Sequence, residues 1–216
     1  MKFSDLVRDT LAAIVSSGGK VDPALAEREQ HRLHGYAWIA TQAEALDALC
    51  NWADRARQAD AFGDIERLVL DIGMGEYCAQ MFGGVAMSQS EIVRPSDYGL
   101  QQEAFAFAAG DAASHFIGAG NTRENRAELA RRLADGERPY EGTGNDTLDM
   151  IRDQFRTFAS ERIAPHAHGW HLADALIPLD VVGKMAELGV FGVCIPEEHG
   201  GLGLGKLAMC LVSEEL

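Results

Sequence analysis

Between Asp22 and Ala59 the chain carries one long helical signal. Leu25, Leu33, Tyr36, Ala40, Ala43, Leu46, Cys50 and Ala53 recur along a single stripe, the spacing that lets a helix bury one face. Asp22-Pro23 starts it. A carboxylate at the N-cap accepts the first free amides, and proline at the first helical position gives up an N–H that had no partner. Gly35 is predicted to bend this helix. A helix of such length needs other helices along its flank, so it sets the class of fold.

The neighbouring segments agree. Phe3, Leu6, Val7, Leu11, Ile14 and Val15 form a helical stripe that Ser16-Ser17-Gly18-Gly19 ends. After the break at Phe62-Gly63-Asp64, the next stripe runs through Ile65, Leu68, Val69, Ile72, Tyr77 and Met81. Gly83-Gly84 and Arg94-Pro95-Ser96 bracket a loop, and Ser96 or Asp97 is placed to cap a helix through Leu100, Ala104, Phe107 and Ala108. Asn121-Thr122 precede a shorter, highly charged helix ending at Ala134. Alternating apolar runs are scarce. Residues 1–135 are therefore predicted to form an antiparallel helical bundle.

Residues 135–146 are polar and hold Pro139 and three glycines, the composition of a linker. Two domains are predicted, 1–140 and 141–216, in an all-α chain. In the second, Asn145 or Asp146 caps a helix with Leu148, Ile151, Phe155 and Phe158 on one face, and Pro165 ends or kinks it. Pro178 opens another helix, with Val181, Val182, Met185 and Leu188 inward and Gly189 as its stop. Val190–Pro196 is predicted to be a short extended run. A glycine-rich loop, His199 to Gly205, leads into a last helix. Leu207, Leu211 and Val212 or Glu215 mark that helix, while Glu214 and Glu215 would sit at the wrong end of its dipole. The chain is thus expected to be the N-terminal portion of a longer protein.

Composition narrows the function classes. The 47% hydrophobic content suits a packed core. The net charge is −14, and each predicted domain carries −7, from 21 acidic against 14 basic residues and 12 against 5. With no basic stripe, neither a nucleic-acid partner nor an anionic membrane surface is expected. Cys50, Cys78, Cys194 and Cys210 are scattered, as in a reducing compartment. No basic-then-apolar leader or membrane-length apolar run is present. A cytoplasmic location is the default.

Few motifs carry chemistry by themselves. Gly200–Lys206 fits G-x-x-x-x-G-K, but Leu207 stands where a phosphate-binding loop needs Ser or Thr for magnesium, and Glu197 and Glu198 would repel phosphate. The glycines are expected to serve a tight connection. His166, His168 and His171 lack the i, i+4 spacing of metal ligands on one helical face. Asp174, Asp180 and Glu187 are charged surface positions, with no paired carboxylates for acid–base work.

From Thr147 onward the pieces fall into a familiar order: Phe155–Ala159, Glu161–Ala167, Trp170, Met185–Gly192, then Ile195-Pro196-Glu197-Glu198-His199-Gly200-Gly201-Leu202-Gly203 and Glu214-Glu215-Leu216. This third of the chain resembles the start of the acyl-CoA dehydrogenase family; His199 stands where many members carry Tyr or Phe. The resemblance implies an α-helical N-terminal domain, a middle β-domain and a C-terminal four-helix bundle. It also implies an FAD cofactor, an acyl-CoA substrate, an electron-transfer flavoprotein as acceptor and a homo-oligomer. A glutamate would take the α-proton while hydride passes from Cβ to the flavin. In that family the flavin contacts and the glutamate come later than Leu216, so no catalytic, cofactor-binding or metal residue is assigned here.

The first ~140 residues depart from the ordinary family plan. Gln30–Trp38, Gly73–Tyr77 and Met87–Pro95 resemble the helical N-terminal extension of one branch of the family, which acts on a branched C5 dicarboxylyl-CoA. The extension also has some likeness to the family's own C-terminal bundle. It is expected to serve packing and enclosure rather than redox chemistry. The competing reading is a non-catalytic helical module for assembly or binding.

Overall fold

The computed structural model describes residues 2–216. It is all-α apart from two small hairpins, and it divides into two compact units, 1–141 and 142–216.

Unit 1 begins with α1 (Phe3–Val15), which buries Phe3, Val7, Leu11 and Val15 on one face. The i, i+4 recurrence makes that face, as the stripe predicts. A two-residue hairpin, β1 (Ser16–Ser17) with β2 (Lys20–Val21), reverses the chain through Gly18 and Gly19. Next comes α2 (Pro23–Arg28), where the Asp22 carboxylate accepts from the Ala24 and Leu25 amides at 2.9 and 3.2 Å. The long helical signal then divides. Its main part is α3 (Gln30–Gln58), 29 residues or about 43 Å. The break falls at Glu29, whose backbone leaves the helical region, and not at Gly35. Gly35 is buried for a different reason: a Cβ there would lie 2.4 Å from Val93 Cγ2 and 2.8 Å from the Tyr98 hydroxyl.

Unit 1 continues with α4 (Asp64–Gly83), which returns along α3. The hairpin β3 (Val85–Ala86) and β4 (Ile92–Val93) follows, pairing Val85 with Val93 and Ala86 with Ile92. The sequence shows only a loop there. A short 3₁₀ turn at Pro95–Tyr98 is closed by Gly99 at φ +72°, so Asp97 caps this turn by accepting from Arg94 N–H at 2.7 Å. The helix it was expected to cap, α5 (Gln101–Ala108), starts after the turn. Then come α6 (Asp111–His115), a π-helical turn at Phe116–Gly120 and α7 (Arg123–Ala134). Thr122 caps α7 by accepting from Asn125 N–H at 3.1 Å.

The core of unit 1 joins Phe3 and Val7 of α1, Ile39 of α3, Met81 of α4, Val85 and Val93 of the hairpin, and Tyr98, Leu100 and Ala104. Phe3, Phe82 and Phe107 pack at its edge with centroids 5.5 to 6.1 Å apart.

In unit 2, Asn145 caps α8 (Asp146–Arg162) by accepting from Thr147 and Leu148 amides at 3.0 and 3.2 Å. Pro165 lies in the first turn of α9 (Ala164–Leu172), which follows a break at Ile163. The remaining helices are α10 (Leu179–Glu187), stopped by left-handed Gly189, and α11 (Gly205–Glu215). Phe155, Val193, Ala208 and Val212 form the core. The predicted extended run at 190–196 is instead a 3₁₀ turn, Val190–Gly192, followed by Val193 in the helical region. Val190 and Val193 turn to the small core while Phe191 and Ile195 are exposed.

Candidate functional site

The glycine-rich loop is the natural place to look for an anion cradle, and its amides settle the matter. Gly200 and Gly201 N–H donate to the carbonyls of Glu197 and Pro196 at 2.9 and 3.2 Å. Leu202, Gly203 and Leu204 donate to Gly192, Ile195 and Val193, each at 2.9 Å. A phosphate nest needs those N–H groups directed at the ligand. Here they clamp the loop onto the turn before it. The fit leaves no space: a Cβ on Gly201 would stand 2.1 Å from the Ile195 carbonyl oxygen.

The described residues therefore do not form a cradle for a flavin pyrophosphate in this loop. Its product is mechanical. It fixes the start of α11 against the turn, and α11 packs on α8. There the Arg156 guanidinium grips Glu215 with two bonds, Nε to Oε2 at 3.0 Å and Nη2 to Oε1 at 2.6 Å. Glu215 at a helix C-terminus is unfavourable alone, and the fork from α8 compensates it. Sequence reasoning missed this pair. The signal was the unfavourable glutamate itself, which calls for a nearby cation.

A mixed cavity in unit 2 lies among α8, α9 and α10 and measures about 420 Å³. Glu161 and Arg162 line it beside His166, Trp170, Asp180 and Lys184. The His166 and Trp170 rings lie 5.7 Å apart and tilted. Of the three clustered histidines only His166 reaches this cavity; His168 and His171 are exposed. Lys184 is held by Glu187 at 2.7 Å. Among the described residues, no group of three or more His, Cys, Asp or Glu side chains is placed to hold a metal ion.

Comparison with known proteins fits this division. Residues 145–216 match the family "Acyl-CoA dehydrogenase, N-terminal domain". Over 215 residues, 98% of its length, the chain is 46% identical to (2S)-methylsuccinyl-CoA dehydrogenase of Cereibacter sphaeroides. Residues 145–216 are thus similar to the N-terminal domain of acyl-CoA dehydrogenases, and the chain as a whole is similar to the N-terminal portion of one of them. It spans 38% of the length of that relative. Glutaryl-CoA dehydrogenase of Desulfococcus multivorans is 39% identical over 71 residues, and benzylmalonyl-CoA dehydrogenase of Aromatoleum aromaticum 42% over 71, with 32% and 33% of this chain covered and 18% and 19% of theirs.

The segments singled out in the extension meet in unit 1. Arg32 Nε donates to the Asp97 carbonyl, and Tyr98 O–H returns to the Arg32 carbonyl at 2.7 Å. Burial holds the Tyr98 phenol well above its ordinary pKa, with Asp97 adding to the shift. Gln30–Trp38 is thus stitched to the 3₁₀ turn at Pro95–Tyr98, with Gly35 under Val93 of the Met87–Pro95 segment. Gly75 of the Gly73–Tyr77 segment admits the π-helical turn: a Cβ there would lie 2.6 Å from the Phe116 carbonyl oxygen. Behind it runs a polar chain. Gln42 Nε2 donates to Gln80 Oε1 at 2.8 Å, and Gln80 Nε2 to Glu76 Oε1 at 2.6 Å. Glu76 also accepts from Asn121 and Arg126. These contacts lock helices together.

Proposed function

We propose that this chain is the N-terminal portion of an FAD-dependent acyl-CoA dehydrogenase that oxidises the Cα–Cβ bond of (2S)-methylsuccinyl-CoA to mesaconyl-CoA, a step of the ethylmalonyl-CoA pathway. One observation carries the choice of substrate. The likeness to (2S)-methylsuccinyl-CoA dehydrogenase runs through the helical extension as well as the family domain, over 215 residues. The glutaryl- and benzylmalonyl-CoA dehydrogenases match over only 71.

In this reading residues 1–140 are an extension and 141–216 open the family's α-domain. The residues that hold FAD and remove the α-proton lie past Leu216, which agrees with a glycine loop whose amides are already used. FAD, when bound, supplies the hydride acceptor. This chain's residues supply two packed helical units. Electron-transfer flavoprotein is the proposed oxidant of the reduced enzyme, a homo-oligomer the proposed assembly, and the cytoplasm the compartment, where four free thiols persist. No helix among the described residues is long and apolar enough to cross a membrane.

The test is flavin bleaching. The full-length protein is expected to purify yellow and to lose its flavin absorbance on adding (2S)-methylsuccinyl-CoA, faster than with glutaryl-CoA or isovaleryl-CoA. Preference for either of the latter refutes the substrate. A full-length protein without flavin refutes the enzyme and leaves the helical module.

A further inference from the structure

A second site stands in unit 1, beside the Gly73–Tyr77 segment. An apolar groove of about 550 Å³ runs between α3, α4 and α7. Its walls are Ala48, Leu49 and Trp52 of α3, Val69 and Ile72 of α4, and Leu129 of α7.

Two polar groups interrupt this wall, Arg55 and Tyr77. The Arg55 Nε is buried and has no hydrogen-bond partner. No ion pair engages the Arg55 side chain among the described residues, although the chain is rich in acid. Two carboxylates nearby in sequence are spent elsewhere. Asp54 takes Arg57 at 2.8 Å. Glu66 takes the amides of Gly63 and Tyr140, both at 2.8 Å. Trp52 Nε1 is likewise used, on the Tyr140 carbonyl at 2.8 Å. Arg55 is half-buried, lines the groove and makes no ion pair among the described residues, so its guanidinium beside an apolar wall is complementary to one kind of ligand: a carboxylate with an aliphatic tail.

We propose that this groove binds a medium-chain aliphatic carboxylate, its head on Arg55 and its tail between Leu49, Val69, Ile72 and Leu129. Charge complementarity selects the occupant. An alkyl amine would face the guanidinium, and a neutral alcohol would leave the charge unanswered. Tyr77 offers a hydroxyl as a second donor to the head. The site is separate from acyl-CoA oxidation and does not depend on the substrate proposed above.

The experiment is isothermal titration of the full-length protein, without acyl-CoA, using hexanoate, octanoate and decanoate, with octanol and octylamine as controls. Binding is expected to tighten about fourfold per methylene and to favour octanoate over octylamine at least tenfold. Arg55→Gln should weaken octanoate tenfold or more while octanol binding stays unchanged, which also shows the groove intact. Arg55→Lys should restore part of the loss. Leu129→Trp, filling the groove from α7, should abolish binding of the whole series. Equal binding of octanoate and octylamine overturns the proposal, as does octanoate affinity indifferent to Leu129→Trp. If another part of the polypeptide or a second copy fills the groove, octanoate gives no heat, which also overturns it. A change in mass by light scattering on Leu129→Glu then identifies the second copy.

Discussion

The two units handle their apolar residues in opposite ways. Unit 1 exposes six large hydrophobics in 141 residues: Val21, Trp38, Ile92, Phe105, Ile117 and Leu133. Unit 2 exposes eleven in the 75 residues from 142 to 216, with Leu176 at 92% and Leu179 at 85%. Its core is Phe155, Val193, Ala208 and Val212, of which one is an alanine. A unit of that size with so slight a core sits below what a single hydrophobic core sustains, and wide apolar exposure marks surfaces that others cover. Unit 1 buries most of its large apolar residues within itself, and unit 2 leaves many of its own in solvent.

The largest expected effect tests that contrast directly. Residues 1–141 made alone should unfold in one cooperative thermal transition. Residues 142–216 made alone should bind a hydrophobic dye and show no cooperative transition. A cooperative, dye-free 142–216 piece breaks the comparison.

Point changes sharpen it. Ile39, 1% exposed at the centre of unit 1, should cost about 2–5 kcal/mol when cut to alanine. Leu176→Ser in unit 2 should move stability by no more than about 0.5 kcal/mol and improve solubility. Chemical denaturation of the two variants in the 216-residue chain gives both numbers. A similar cost at both positions would mean that the exposed leucines of unit 2 are not in solvent.

A smaller effect concerns the chain between the units. Residues 135–146 have the composition of a linker, yet Tyr140 is fastened to unit 1 at both its amide and its carbonyl, by Glu66 and Trp52. Glu66 is 4% exposed. Removing it by Glu66→Ala leaves two amides without acceptors, at about 1–3 kcal/mol, and should open 138–141 to protease. In the unaltered chain the first cut should come at 142–144. An unaltered cutting pattern in Glu66→Ala would show that the anchor does not hold the segment.

What was legible follows from the range of the interactions. Helices were readable because spacing within a dozen residues sets them. The caps at Asp22, Thr122 and Asn145 are local chemistry of the same kind. The misreadings come from distant partners. Gly35 looked like a bend because its true reason, Val93 and Tyr98, lies about 60 residues away. The hairpin at Val85 and Val93 has strands of two residues, too short to show a period. The coil at 190–193 was taken as extended because a short apolar run does not declare its own conformation. Arg55 was invisible as a site residue, since a buried donor without a partner is a property of the fold alone.

The smallest effect lies on the surface of unit 1 and concerns pH. Glu128 on α7 accepts from Arg131 and Arg132, and those bonds hold its carboxyl down to about 2 from an ordinary 4.5. Arg132 reaches on to Asp64 at the start of α4, at 3.2 Å, so the cluster ties α7 to α4. A carboxylate with a depressed folded-state pKa contributes stability that is complete above its unfolded value. That contribution fades as pH falls from about 4.5 toward 2. Glu128 is partly exposed in this cluster, so solvent and salt screen the contribution. The expected outcome is a small, salt-sensitive loss. Glu128→Gln should flatten the pH dependence of the melting temperature of 1–141 slightly below pH 4.5, and 0.5 M salt should remove the difference from the unaltered unit. No equivalent slope should follow from Lys184→Gln in unit 2, where a single exposed pair with Glu187 ties the helix only to itself. A pH profile identical in Glu128→Gln and the unaltered unit at low salt would show that this cluster decorates α7 without fastening it.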